Sequence, residues 1–307
     1  MPLAPVSTSP PAPTLWRAWS AALRPASLPI AVSPVLVGAA VAFHQQGQLP
    51  PLPTLTALLC ALLMQLITNL QNDVGYTQRG GERLGNRTGL PRATAEGWLT
   101  PHAVRRAIVV LSLLALGLGL LLCYWRGWPV LALGTASLLA ALAYMGGPRP
   151  IAYTPWGELT VFVFFGLVAV LGTEWLLSGQ TSVLGALAAV AVGSLSAAAL
   201  LVNNRRDMAH DRSVGRTTLA VWLGERRCHQ AMAVLLGLPF AASVVMALWA
   251  QQLWLLLPCL LLHRAWQIWR RFARCASGLA FNPVLFAVFR LVLGLAAALA
   301  SGLLAGR

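Results

Sequence analysis

The chain contains no lysine: all 22 of its basic residues are arginines. Chemistry that needs a Schiff-base or proton-accepting lysine is therefore excluded, and the pI near 11.4 rests on groups that stay charged in a protein. Acids are scarce too, with only eight in 307 residues. Charged residues make up 10% and hydrophobic ones 58%, and the mean hydropathy of +0.70 is too high for a water-soluble domain of this length. The five cysteines (Cys60, Cys123, Cys228, Cys259 and Cys275) show no CxxC or Cys/His spacing, which argues against a disulfide framework and a zinc site. They read as small apolar fillers. Nor do the arginines gather on one patch or alternate with aromatics, so a formal net charge of +14 predicts no nucleic-acid partner. Residues 1–14 are rich in Pro and Ser and lack a basic start followed by an apolar core, which predicts a disordered tail rather than a signal peptide.

What the chain does have is a series of long apolar runs. A hydrocarbon layer of ~30 Å takes about 17–25 helical residues to cross. Nine runs of that kind are predicted, at 26–43, 53–75, 103–123, 128–145, 157–177, 183–204, 229–249, 253–272 and 283–303. The expected fold is all-α, a polytopic membrane protein in which residues 15–307 form a single bundle of nine transmembrane helices around a central cavity. Pro25, Pro29 and Pro34 predict a late or kinked start to the first helix. Gly38, Gly134, Gly166 and Gly193 are expected at close helix contacts. Nineteen of the 22 arginines precede the first run or follow the second, fourth, sixth and eighth, whereas Arg126 and Arg307 fall on the other side and Arg290 inside the last run. Cytoplasmic loops accumulate arginine. The chain is thus expected in the bacterial inner membrane, N-terminus cytoplasmic, with its chemistry on the cytoplasmic face.

With so few acids, their positions carry information, because ionisable groups near membrane depth are costly to keep. The second run ends Asn69-Leu-Gln-Asn72-Asp73-Val-Gly-Tyr76, which places Asn69, Asp73 and Tyr76 on one helical face. The sixth ends Asn203-Asn204-Arg205-Arg206-Asp207-Met-Ala-His210-Asp211, which stacks Asn203, Asp207 and Asp211 in the same way. One such cluster would pass for helix caps and surface ion pairs. Two at matching depth point to a shared cation. Oxygen-only donors suit a hard ion such as Mg²⁺, which completes its shell with water and phosphate oxygens. The nearby Arg79, Arg83, Arg87, Arg92, Arg205, Arg206, Arg212 and Arg216 are suited to a diphosphate. An ion-coupled carrier is the competing class, but its acids belong at the membrane midplane rather than at one face.

The string Asn203-Asn204-x-Arg206-Asp207-x-x-x-Asp211-x-x-x-Gly215-x-x-Thr218-Leu219 resembles the second aspartate-rich motif of the UbiA superfamily of prenyltransferases. Asn69-x-x-Asn72-Asp73 resembles the start of the first. Leu23-Arg24-Pro25-x-x-Leu28-Pro29, Arg87-x-Gly89-x-x-Arg92 and Tyr144-x-Gly146-Gly147-Pro148-Arg149-Pro150-x-x-Tyr153-x-x-x-Gly157-Glu158 are similar to the menaquinone-pathway branch, the 1,4-dihydroxy-2-naphthoate polyprenyltransferases. The likeness spans about residues 20–305. It implies transfer of a polyprenyl chain from its diphosphate to an aromatic acceptor, with membrane lipid around the enzyme and Mg²⁺ as cofactor. Asn69, Asp73, Asn203, Asp207 and Asp211 would hold the metal, and Arg87, Arg92, Arg149 and Arg206 the diphosphate. Tyr144 and Tyr153 would line the cavity near the allylic cation, and Arg24 would meet a carboxylate on the acceptor. In one place the chain departs from the family pattern: a second aspartate is usual three residues after the first, and Tyr76 stands there, with Glu82 the next acid in that loop.

Overall fold

The computed structural model describes residues 13–80, 89–276 and 278–306, so most of the expected tail, with Glu82, Arg83 and Arg87, lies outside the described residues. Among the described residues all regular structure is helical. The first helix, α1 (Leu15–Leu23), ends where Arg24 turns left-handed at φ 50°. Pro25 then opens a 3₁₀ turn (Pro25–Ser27) and Pro29 opens α2 (Pro29–Gln46), each at a helix start, where its missing N–H costs nothing. The resulting bend of 41° is the kinked start that the prolines predict.

After α3 (Pro51–Gln78), α4 (Pro101–Arg126) and α5 (Trp128–Met145), the chain forms a rod: α6 (Gly157–Val161), a π-helical stretch (Phe162–Leu171) and α7 (Gly172–Ser178). Next come α8 (Val183–Ser213) and α9 (Leu219–Ala250), whose first turns are capped by the hydroxyls of Ser182 and Thr218. A 3₁₀ stretch (Leu253–Leu261), α10 (Leu262–Arg274) and α11 (Phe281–Ala305) complete the fold.

The axis of the bundle is α8, which packs against α9, the π-helical stretch, α11 and α2 and is buried without a break over residues 191–199. Small side chains make this possible. A methyl placed on Gly166 would lie 2.7 Å from the Ala189 carbonyl oxygen, one on Gly193 2.8 Å from that of Phe162, and one on Gly38 2.5 Å from that of Val170. Three helices therefore meet backbone to backbone, as small residues permit where lipid supplies no hydrophobic drive. Gly134 differs from expectation: nothing lies within 4 Å of a methyl there, because the residue faces a cavity.

Among the described residues seven helices are long and apolar enough to cross a membrane, eight if the bent α1–α2 pair is one span, so the expected count of nine is not confirmed. The run at 253–272 divides into a 3₁₀ stretch carrying Pro258 and the helix α10, whose 13 residues include Arg264, Arg270, Arg271 and Arg274. The other eight runs fall on α2, α3, α4, α5, the α6–α7 rod, α8, α9 and α11. Large apolar side chains on the outside of α4 and α9, among them Leu113 and Leu248, are exposed, as a lipid-solvated surface requires. This is a multi-pass membrane protein.

Hydrogen bonds from α3 to the 92–97 turn, from α8 to α6 and from α8 to α11 gather the helix ends that carry the predicted clusters at one end of the bundle. At the opposite end Glu174 is fully buried and accepts from Gln45 at 2.6 Å, while Arg126 donates to the last carbonyls of α7.

Candidate active site

A cavity of about 660 Å³ extends from the clustered helix ends toward the far side of the bundle. Its body is apolar, with Phe164, Phe165, Val168 and Leu133 on the walls and Leu122 and Leu176 deep inside. Polar groups line one end: Arg24, Asn69, Asn72, Tyr144 and Asn203. The shape suits a molecule with a charged head and a long apolar tail.

A network at the α1–α2 corner fixes the position of Arg24. The Asn69 amide donates to the Leu23 carbonyl at 2.8 Å and to Ser27 Oγ at 3.0 Å. Gln65 donates to Ser27 Oγ (3.0 Å) and to Asn69 Oδ1 (3.3 Å), and Ser27 itself donates to the Arg24 carbonyl at 2.9 Å. A left-handed non-glycine residue costs on the order of 1–3 kcal/mol and persists where its surroundings over-determine it. Here they do so at a cavity wall.

Asp73 departs from its expected place. Its side chain is fully buried, with Oδ2 accepting the Ala93 amide (2.9 Å) and Oδ1 the Thr94 amide (2.9 Å) and hydroxyl (2.6 Å). Both oxygens thus hold the 92–97 turn, and Asp73 is not among the residues lining the cavity. One turn further on, Tyr76 is 1% exposed, and its ring faces the guanidinium carbons of Arg92 and Arg216, 4.1 Å and 5.3 Å from the ring centre. Arg92 also donates to the Asn72 carbonyl.

On α8 the three predicted residues share a face, and Asn203 reaches the cavity. Asp207 takes a bidentate pair from its neighbour Arg206, Nε to Oδ1 at 2.9 Å and Nη2 to Oδ2 at 3.0 Å, while Arg206 Nη1 donates to Asn282. Asp211 accepts from Arg216 at 2.7 Å through Oδ1, and its Oδ2 is buried with no hydrogen bond. A buried carboxylate oxygen left without a donor is costly and fits a ligand such as a cation. Arg216 also donates to the Ala152 carbonyl. Burial works against its charge, but Asp211 and then Tyr76, Tyr144 and Tyr153 outweigh that and hold the guanidinium above its ordinary range.

The remaining predicted residues separate. Tyr144 lines the cavity. Tyr153 stands behind it, stacked by Arg216 at 5.3 Å and Arg79 at 5.4 Å, and Arg149 is exposed on the loop after α5. Arg87 lies outside the described residues. Sequence reasoning passed over a further buried pair, Glu158 and Asn204, joined at 2.9 Å between α6 and α8. The rarity of acids was the available signal. It also passed over Thr94, which nothing local connects to Asp73.

The model of the UbiA prenyltransferase family matches residues 31–288. The chain is 38% identical over 226 residues to the 1,4-dihydroxy-2-naphthoate octaprenyltransferase of Escherichia coli, covering 70% of this chain and 72% of that one. It is 34% identical over 230 residues to the enzyme of the same name from Mycobacterium tuberculosis, covering 75% and 78%. Its fold is similar to a solved UbiA homolog from Archaeoglobus fulgidus bound to GPP and Mg²⁺, with a TM-score of 0.66 at 14% identity over 92% of this chain and 99% of that one.

Proposed function

The chain belongs to the UbiA prenyltransferase family, and we propose that it transfers a polyprenyl chain from its diphosphate to 1,4-dihydroxy-2-naphthoate at the polar end of the cavity. The observation that carries this reading is the cavity itself, apolar along its length and capped at one end by arginine and amides. The isoprenoid tail occupies the apolar body, and the diphosphate and the aromatic ring meet at the cap. The allylic C–O bond breaks with its electron pair leaving on the diphosphate. A ring carbon of the acceptor then bonds to the allylic carbon and loses its former substituent, as a proton or as carbon dioxide, with the bonding electron pair returned to the ring.

The main catalytic need in that sequence is stabilisation of charge on the departing diphosphate. Asn203 and Asp211 are oxygen donors that fit Mg²⁺, Asp207 would join them by exchanging its pair with the Arg206 side chain, and the buried Asp211 Oδ2 is the atom that most needs such a partner. Mg²⁺ bound there supplies positive charge to the diphosphate oxygens. Arg92 and Arg206 lie beside the same helix ends and donate to the diphosphate, Tyr144 offers its ring to the allylic cation, and Arg24 binds the acceptor carboxylate. The polar end faces the cytoplasm of the bacterial inner membrane, because the described arginines outside the helix cores concentrate there.

The test is product formation by purified protein in detergent with 1,4-dihydroxy-2-naphthoate, a polyprenyl diphosphate and Mg²⁺, followed by mass. Prenylated product that disappears with EDTA is expected. Inertness toward this and other aromatic acceptors would leave a lipid-binding role in its place.

A further inference from the structure

One strip of the outer surface carries charge at membrane depth. The 3₁₀ stretch and α10 run antiparallel to α11, with the Trp254 carbonyl against Gly302 and a methyl of Leu261 3.5 Å from where a methyl on Gly294 would stand. The polar end of the bundle lies at the start of α11, where Asn282 accepts from Arg206. One helical turn toward that end, three residues on from Leu261 and four back from Gly294, stand Arg264 and Arg290. Residues so spaced share a helix face, so both arginines flank the α10–α11 seam at one level. Both are exposed, and among the described residues neither has a hydrogen bond or an ion pair. Arg290 lies about 14 Å along α11 from its first residue, in a helix long and apolar enough to cross a membrane.

Charge facing lipid at that depth is costly, and two guanidinium groups at one level also repel each other. Neither α10 nor α11 contains an acid to offset them. An arginine can reach along its apolar stem toward the headgroups, and α10 continues the path with Gln267, Arg271 and Arg274 on the face of Arg264. Away from the polar end the same faces turn apolar, with Leu260 and Leu293 exposed one turn beyond the arginines. The complement of such a strip is an anion carried on an apolar tail.

We propose that the α10–α11 seam binds an anionic phospholipid from the leaflet at the polar end, its phosphate between Arg264 and Arg290 and its acyl chains over Leu260 and Leu293. Guanidinium groups match phosphate oxygens in geometry as well as charge. Neither arginine lines the cavity, so this lipid is separate from the substrates proposed above.

The test is native mass spectrometry of the full-length chain in detergent, titrated with phosphatidylglycerol and, separately, with phosphatidylcholine of the same acyl chains. The first phosphatidylglycerol is expected to bind on the order of tenfold more tightly than the first phosphatidylcholine. Arg264→Gln combined with Arg290→Gln should abolish that preference. Arg17→Gln combined with Arg106→Gln, which removes the same charge from α1 and α4, should keep it. Equal affinity for the two lipids in the wild-type chain overturns the proposal, and that arm depends on no variant. A preference that survives loss of both seam arginines, or falls as far in the charge-matched control, overturns it too. Loss of the bound lipid to equimolar inorganic phosphate would make the seam a site for free anions. Wild-type dimers that part when both seam arginines are replaced would make it an interface between copies. Either result removes the lipid from the seam.

Discussion

At the end of α3 an aspartate is fully spent on the protein, and at the end of α8 one is not. Asp73 accepts two backbone amides and a hydroxyl, whereas Asp211 accepts one guanidinium nitrogen and leaves Oδ2 buried without a donor. Both sit on transmembrane helices, four residues after an asparagine or another aspartate, at the same end of the bundle. Satisfaction of the carboxylate is what separates them. A buried acid whose oxygens are both matched by backbone amides belongs to the fold, and one with an oxygen unmatched is held ready for something else.

The strongest way to break this comparison is Asp211→Asn, which removes the negative charge from α8 with little change in shape. Transfer is expected to fall on the order of 10²–10³-fold, the usual effect of removing one group that stabilises transition-state charge. Product formed per amount of folded protein measures it. A loss of less than tenfold would mean that the α8 carboxylate is structural too.

Asp73→Ala is the counterpart, and its expected effect is on stability. Two buried amides would lose their acceptor, at about 1–3 kcal/mol for each donor left unsatisfied, while the Thr94 hydroxyl keeps the Asp73 carbonyl and the Thr77 hydroxyl, so a loss of about 3 kcal/mol is expected after partial relaxation. The thermal midpoint in detergent reads it. A variant with an unchanged midpoint and no Mn²⁺ binding would return Asp73 to the metal site.

How much of this was legible in the sequence follows from what each feature depends on. Hydropathy and proline placement depend on the local chain, so eight helical runs and the kink at Pro25–Pro29 could be read directly. The run at 253–272 is not confirmed as a span, because it divides into a 3₁₀ stretch and a helix whose 13 residues carry four arginines. Which acids face a ligand could not be read, since the partner that occupies Asp73 lies about twenty residues away in a turn with no aspartate-recognition signal of its own. The departure at Tyr76 was visible as a missing charge. Its neighbours were not, because Arg92 and Arg216 come from two separate loops that meet over its ring only in the fold.

A smaller effect sharpens the division of labour at the cavity mouth. Arg24→Gln keeps a hydrogen-bonding side chain but removes the charge proposed to meet the acceptor carboxylate. The KM for the aromatic acceptor is expected to rise about tenfold, equivalent to about 1.4 kcal/mol. The rate at saturation and the midpoint for thermal unfolding should stay close to wild type, because the bonds from Ser27 and Asn69 that shape the corner run to the backbone carbonyls of residues 24 and 23. A fall in kcat with KM unchanged would assign Arg24 to the diphosphate instead.

The smallest effect tests the α3 side in isolation. Thr94→Val keeps the shape of the side chain and the backbone amide that Asp73 Oδ1 accepts, and removes the hydroxyl with its 2.6 Å bond to the carboxylate and its contacts with the Asp73 carbonyl (3.1 Å) and the Thr77 hydroxyl (2.8 Å). One such bond contributes about 1 kcal/mol, so a modest drop in the unfolding midpoint is expected, with transfer rates per folded protein unchanged. The two residues should also fail to add. With Asp73 already replaced by alanine the hydroxyl has lost its carboxylate acceptor, so Thr94→Val in that background should cost less than it does alone. Full additivity would mean that the hydroxyl is stabilised by its second contact, the Asp73 backbone carbonyl, and that the carboxylate is freer than its three bonds imply.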